Sequence, residues 1–218
     1  MIYARHMYYF DVNEDEGENQ DILYINFARH PIKQFVSAFY FTKQLGWLAM
    51  IIYLTRENIV SCPTFCTFEV MSMSLNFQTM HPTIEDQLYH MVDGSNVTYL
   101  QIPFYCGQDV RCKQLNNGWA LAKAIEHVQK RYIVVGIVEE FNKSLAVFEH
   151  LVPRFFYRAV PLCQKYQLHA NKGQLVEQIT DETIISIRNH LRNEIIFYDF
   201  LKKRLLTQFD QIRGKLVS

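Results

Sequence analysis

The amino-acid sequence predicts an α/β protein. Two short apolar runs have the character of buried strands and are joined to helical patterns, and the chain ends on a long stretch of helical periodicity. The first run, Ile22 to Ala28 (ILYINFA), suits a buried strand. Arg29-His30-Pro31 then reads as a turn, with Pro31 suited to the first helical position, where its missing N–H costs nothing. Ile32, Phe35, Val36, Phe39 and Tyr40 follow at helical spacing, so the unit is strand, tight turn, helix. Further on, Asn116 to Arg131 carries Trp119, Leu121, Ala122, Ile125 and Val128 in a helical pattern, Tyr132 to Val138 is a continuous apolar strand, and Ser144 to Val152 is helical again. A strand with helices on either side implies a sheet covered on both faces. Met1 to Phe10 reads as a further strand. Thr180 can cap one long terminal helix, whose apolar positions Ile184, Ile187, Leu191, Ile195, Tyr198, Leu201, Leu205, Phe209 and Ile212 step by three or four.

A chain of 218 residues, 49% hydrophobic, can bury one sizeable core, which favours a single domain. Lys+Arg and Asp+Glu both count 22, so no global charge draws the chain to nucleic acid, and any anion site must be local. The longest apolar run, Trp47 to Leu54, is far short of the roughly 20 residues of a membrane-spanning helix. One stretch, about 46–80, is apolar, rich in Met and Cys, and follows neither the strand nor the helix period. It reads as an anomalous insert, either a loop region of odd composition or sequence foreign to the mature protein, such as a retained intron.

Local chemistry concentrates at two places. Helix-start N–H groups favour an anion, and a guanidinium adds a forked, permanently charged donor, so a strand-turn-helix unit opening on Arg29 is a candidate phosphate site. Ser37, eight residues on, stays near the face of Arg29 and Lys33, and the two are expected to face a common cleft at the carboxyl end of the strand. On spacing alone, a surface salt bridge and a solvated serine are the simpler account of these residues. His6 has the titration range of a general base, yet it is one of eight histidines, and a hydrogen-bonded structural role is the simpler account of a single one. Two glycosylation sequons, at Asn96 and Asn142, stand beside the alternative of ordinary surface asparagines. The five cysteines lack the paired spacings of a structural zinc site, so no metal is expected.

Tyr24 to Pro31 (YINFARHP), continued by Val36 to Phe41 (VSAFYF), resembles the segment of the heparan sulfate and uronyl 2-O-sulfotransferases, pipe-type insect members included, that holds the 3′-phosphate of 3′-phosphoadenosine 5′-phosphosulfate. Arg29 and Ser37 match the two phosphate ligands. Ile2 to Asp11 is similar to the family's strand of two histidines, whose second, the catalytic base, falls on His6; the first is Ala4 here. Downstream, Leu100 to Gln108 (LQIPFYCGQ), Cys112, Gly118 to Leu121 (GWAL), Val135 to Glu140 (VGIVEE) and Pro153 to Phe156 (PRFF) follow the family in order and spacing. With the terminal helix, the resemblance covers about 1–45 and 85–213.

The resemblance implies a P-loop-like sulfotransferase fold with a central parallel sheet, and a single domain over 1–218. It implies transfer of a sulfuryl group to the 2-hydroxyl of a hexuronic acid in a glycosaminoglycan. It also implies a disulfide between Cys106 and Cys112, with Cys62, Cys66 and Cys163 unpaired, a Golgi lumenal setting, and the trimeric assembly of heparan-type members. The family's donor-cradling loop, of Pro-Lys-Thr-x-Ser-Thr type, and its membrane anchor are not in this sequence. His30 replaces an expected aspartate, Ala38 a tyrosine, and Lys43, an acceptor-binding position, an arginine. The rival expectations are a non-catalytic glycan-binding or truncated inactive relative of the same fold, and a nucleotide kinase, which needs a Gly-rich phosphate loop that the chain lacks.

Overall fold

The computed structural model describes residues 8–10, 23–38, 100–166 and 180–217. Strand β1 (Tyr24–Ala28) leads into helix α1 (31–38). After α2 (Ile102–Cys106) and a 3-10 turn at Val110–Lys113 come α3 (Gly118–Arg131), β2 (Tyr132–Ile137) and a second 3-10 turn at Val138–Glu140. The chain continues through α4 (Phe141–Leu151), α5 (Pro153–Phe156), α6 (Ala159–Tyr166), α7 (Asp181–His190) and α8 (Arg192–Val217). Residues 8–10 carry no strand ladder; the rest of the predicted first strand, with His6, lies outside the described residues, as does the stretch 46–80.

β1 and β2 pair in parallel, with Tyr24 beside Tyr132 and Ala28 beside Ile137. Helices α3, α4 and α8 all pack against β2. Val134, Val135 and Ile137 are thereby buried together with Val128, Phe148, Phe197, Leu201 and Leu205, which is why β2 is apolar without alternation. The α/β expectation holds at the level of a small parallel sheet flanked by helices and a long terminal helix.

Gly136 sits where the sheet meets α4. The Phe27 ring lies over it and stacks on Phe148, centroids 4.9 Å apart, and a Cβ at this position would overlap Phe27 and come within 2.8 Å of Phe148. Gly136→Ala is therefore expected to destabilise the protein by about 1–3 kcal/mol: the Phe27 ring is partly exposed and can shift, but Phe148 is fully buried and cannot yield freely. An unchanged midpoint in urea unfolding would contradict this packing.

Local sequence explains most boundaries. Asn117 caps α3, its Oδ1 accepting from the N–H groups of Trp119 and Ala120 at 2.9 and 3.1 Å. Thr180 caps α7 as expected, its hydroxyl accepting from Thr183 N–H at 3.2 Å. The predicted single terminal helix is interrupted at Leu191. Apolar spacing could not foresee this, because the cause is a distant side chain: Asn116 donates from Nδ2 to the His190 carbonyl (2.8 Å) and accepts at Oδ1 from Asn193 N–H (3.0 Å). Such an inserted amide supplies partners for backbone groups at the break.

Cys106 at the end of α2 and Cys112 in the following turn form a disulfide, their Cα atoms 5.6 Å apart, within the range a bridge requires. Cys163 is free and buried; Cys62 and Cys66 lie outside the described residues.

Candidate functional site

The parallel register brings the carboxyl ends of β1 and β2 side by side, so Arg29-His30 and Val138–Glu140 leave the sheet together. That edge is where ligands bind in open parallel sheets. Helix α1 begins at once, Gln34 N–H donating to the His30 carbonyl at 2.9 Å, with Pro31 buried in its first turn. Arg29 is half-buried, and no carboxylate pairs with its guanidinium among the described residues. A permanent positive charge without a counter-ion, at a helix start, suits an incoming anion.

The turn is tied down by residues far away in sequence. The Arg29 carbonyl accepts from Gln101 Nε2 at 2.6 Å, and His30 N–H donates to Glu139 Oε1 at 3.0 Å. Behind Gln101 stands Glu194, 3% exposed, which accepts from Gln101 N–H at 2.8 Å and Ile102 N–H at 3.1 Å and so caps α2. Behind Glu139 stands Tyr198, whose hydroxyl donates to Glu139 Oε2 at 3.0 Å. Burial raises the Tyr198 phenol, and Glu139 beside it acts in the same direction, so the phenol stays protonated and donates. The His30 ring meets Tyr198 edge-on at 5.1 Å. Burial holds this imidazole below its ordinary range; Glu139 and Asp199 oppose that, while Lys33 and Arg188 reinforce it. A neutral His30 thus takes the place where the resemblance expects a carboxylate.

Burial pushes the Glu194 carboxyl up to about 7, against the Gln101 and Ile102 N–H groups that pull it down. The Tyr105 phenol, itself raised by burial, also faces this carboxylate. Because the folded-state value lies above the ordinary 4.5, the associated stability is complete below the unfolded value and is lost as pH rises through about 7. Glu194→Gln keeps a carbonyl acceptor and is expected to remove that fall. Between pH 5 and 8 the wild type should lose up to about 3 kcal/mol relative to the variant in urea unfolding. Parallel pH profiles for the two proteins would contradict the assignment.

Among the sequence-predicted residues, Ser37 is exposed on α1, seven residues beyond His30. Seven residues return a helix to within about 20° of the same face, roughly 10 Å further along its axis. Lys33 is exposed on the same helix. Asn142 is exposed in the first turn of α4, but the third residue of its sequon, Ser144, is buried. The Ser144 Oγ accepts from Ile137 N–H at 2.8 Å and lies 3.0 Å from the Ile137 and Glu140 carbonyls, closing the end of β2. His6, Lys43 and Asn96 lie outside the described residues. Among the described residues no cluster of His, Cys, Asp or Glu is arranged to hold a metal, and no helix is long and apolar enough to cross a membrane. Gln101 and Glu139 stand inside the matched motifs, but the contacts of Gln101, Glu139, Glu194 and Tyr198 join distant parts of the chain and no local pattern marks them.

No protein-family model matches the chain. Among curated proteins, it is 28% identical over 214 residues to "Uronyl 2-sulfotransferase homolog pip" of Drosophila melanogaster, covering 95% of this chain and 41% of that protein. It is 23% identical to mouse (Mus musculus) uronyl 2-sulfotransferase, over 99% of this chain and 49% of the relative. Mouse heparan sulfate 2-O-sulfotransferase 1 is 26% identical over 99% of this chain and 55% of its own length. The homologues of this chain are therefore sulfotransferases, and the chain spans about half the length of the relatives it matches.

Proposed function

We propose that this relative of the 2-O-sulfotransferases serves transfer of a sulfuryl group from 3′-phosphoadenosine 5′-phosphosulfate to the 2-hydroxyl of a hexuronic acid in a glycosaminoglycan. The observation that carries the proposal is the Arg29 turn, a guanidinium with no ion pair among the described residues, at the start of a helix and at the carboxyl edge of a parallel pair. Its donor set suits a phosphate monoester: Arg29 offers a fork of N–H donors, and the Ser37 hydroxyl lies on the helix that follows. In this reading Arg29 and Ser37 hold the donor's 3′-phosphate, and Lys43 meets the acidic polysaccharide. His6 takes the proton of the 2-hydroxyl as that oxygen forms its bond to sulfur, and adenosine 3′,5′-bisphosphate leaves with the electrons of the broken S–O bond. The setting would be the Golgi lumen, where a disulfide such as Cys106–Cys112 persists.

The test is sulfate transfer from labelled donor to desulfated heparan, dermatan and chondroitin chains, with the product disaccharides analysed for 2-O-sulfated hexuronic acid. Label on that position supports the proposal. Binding of both ligands without transfer would support the alternative, a glycan-binding relative without turnover.

A further inference from the structure

Arg29 C=O and His30 N–H are the two ends of one peptide group, and both are held by side chains. The carbonyl accepts from Gln101 Nε2 (2.6 Å) and the N–H donates to the Glu139 carboxylate (3.0 Å). Each holder is in turn fixed by α8. Glu194 accepts from the Gln101 backbone N–H, and Tyr198 donates to the other oxygen of Glu139. Glu194 and Tyr198 are four residues apart and therefore lie one turn apart on one face of that helix. Both are almost fully buried, so the α8 end of each relay is shielded from solvent, while Glu139 itself is half-buried.

We infer that Gln101 and Glu139, backed by Glu194 and Tyr198, are positioning residues that clamp the Arg29–His30 peptide plane and so aim the Arg29 guanidinium at the 3′-phosphate of the donor. The inference rests on the proposed donor site and assigns to it residues with no direct contact to ligand. Its physical basis is the coupling of side chain to backbone. Fixing the peptide plane limits ψ of Arg29 and φ of His30, hence both the direction of the Arg29 Cα–Cβ bond and the start of α1. A guanidinium pre-aimed in this way loses less freedom when it binds, and a loose one binds more weakly with every contact still available. Glu139 is also the only carboxylate brought to the His30 amide among the described residues, and no ion pair among them includes Arg29.

The experiment compares adenosine 3′,5′-bisphosphate with adenosine 5′-monophosphate, which lacks the 3′-phosphate, by calorimetry on the full chain and its variants. Gln101→Leu and Glu139→Ala are each expected to lower bisphosphate affinity about tenfold and to leave the monophosphate within about twofold, so the preference between the two collapses. Glu139→Gln, which keeps an acceptor for His30 N–H, should restore most of the preference. Tyr198→Phe removes one hydroxyl without removing packing and should give about a threefold loss, which guards against a misfolded Glu139→Ala. Parallel weakening of both nucleotides in these variants, or an unchanged preference in proteins with wild-type unfolding midpoints, would overturn the positioning role. A wild-type chain that binds the monophosphate but shows no preference for the bisphosphate would overturn the donor site itself, and the role that depends on it.

Discussion

Arg29→Ala is expected to weaken binding of adenosine 3′,5′-bisphosphate by about 30-fold or more, whereas Lys33→Ala should change it by less than about threefold. The two residues carry the same charge and lie four positions apart, so the contrast isolates geometry from charge. Arg29 is half-buried, and its backbone is held on both sides of the following peptide. Lys33 is exposed on α1, where a mobile ammonium loses entropy on binding and is screened by salt. Calorimetry at two ionic strengths checks this. A specific Arg29–phosphate contact should persist at high salt better than any contribution of Lys33. Equal losses in the two variants would mean diffuse attraction in place of a built phosphate site.

The second large effect is expected at His6. In the chain joined to a donor-cradling loop of the family type, His6→Ala should reduce sulfate transfer by roughly a thousandfold while leaving donor affinity within about threefold. A general base contributes only as the hydroxyl loses its proton, so its removal lowers turnover more than binding. His30→Ala should do the reverse. The His30 ring is half-buried against Tyr198 beside the Arg29 turn and is held neutral by burial, so its loss disturbs donor affinity more than proton transfer. Turnover that survives His6→Ala would reject that base and direct attention to another acceptor of the proton.

What could be read from the sequence was local, and what could not depended on distant partners. The strand at Tyr24–Ala28, the turn at Arg29 and the helix opened by Pro31 follow from an apolar run, a punctuating proline and a 3.6-residue period. The strand at Tyr132–Ile137 and the Thr180 cap follow in the same way. The helix predicted from Ser144 in fact starts at Phe141. In sequence, Ser144 is the third residue of a sequon and the start of a helical pattern, whereas in the fold its hydroxyl serves the end of β2, a role visible only once the strand is in place. The break at Leu191 depends on Asn116, 75 positions away, and no apolar spacing encodes it. The same holds for the site. Arg29 could be singled out from its turn, but Gln101, Glu139 and Glu194 act on it through contacts between 72 and 109 residues apart in the chain, or through one another. The disulfide was expected from resemblance to a family that pairs cysteines at matching positions, and Cys106 and Cys112 are paired.

The most direct test of the central claim is a crystal structure of the chain with adenosine 3′,5′-bisphosphate. The predicted result places the 3′-phosphate within about 3.2 Å of the Arg29 guanidinium and of the Ser37 hydroxyl, with the Arg29–His30 peptide still held by Gln101 and Glu139. A nucleotide seated away from the ends of β1 and β2, or an Arg29 side chain turned from the phosphate, would contradict it.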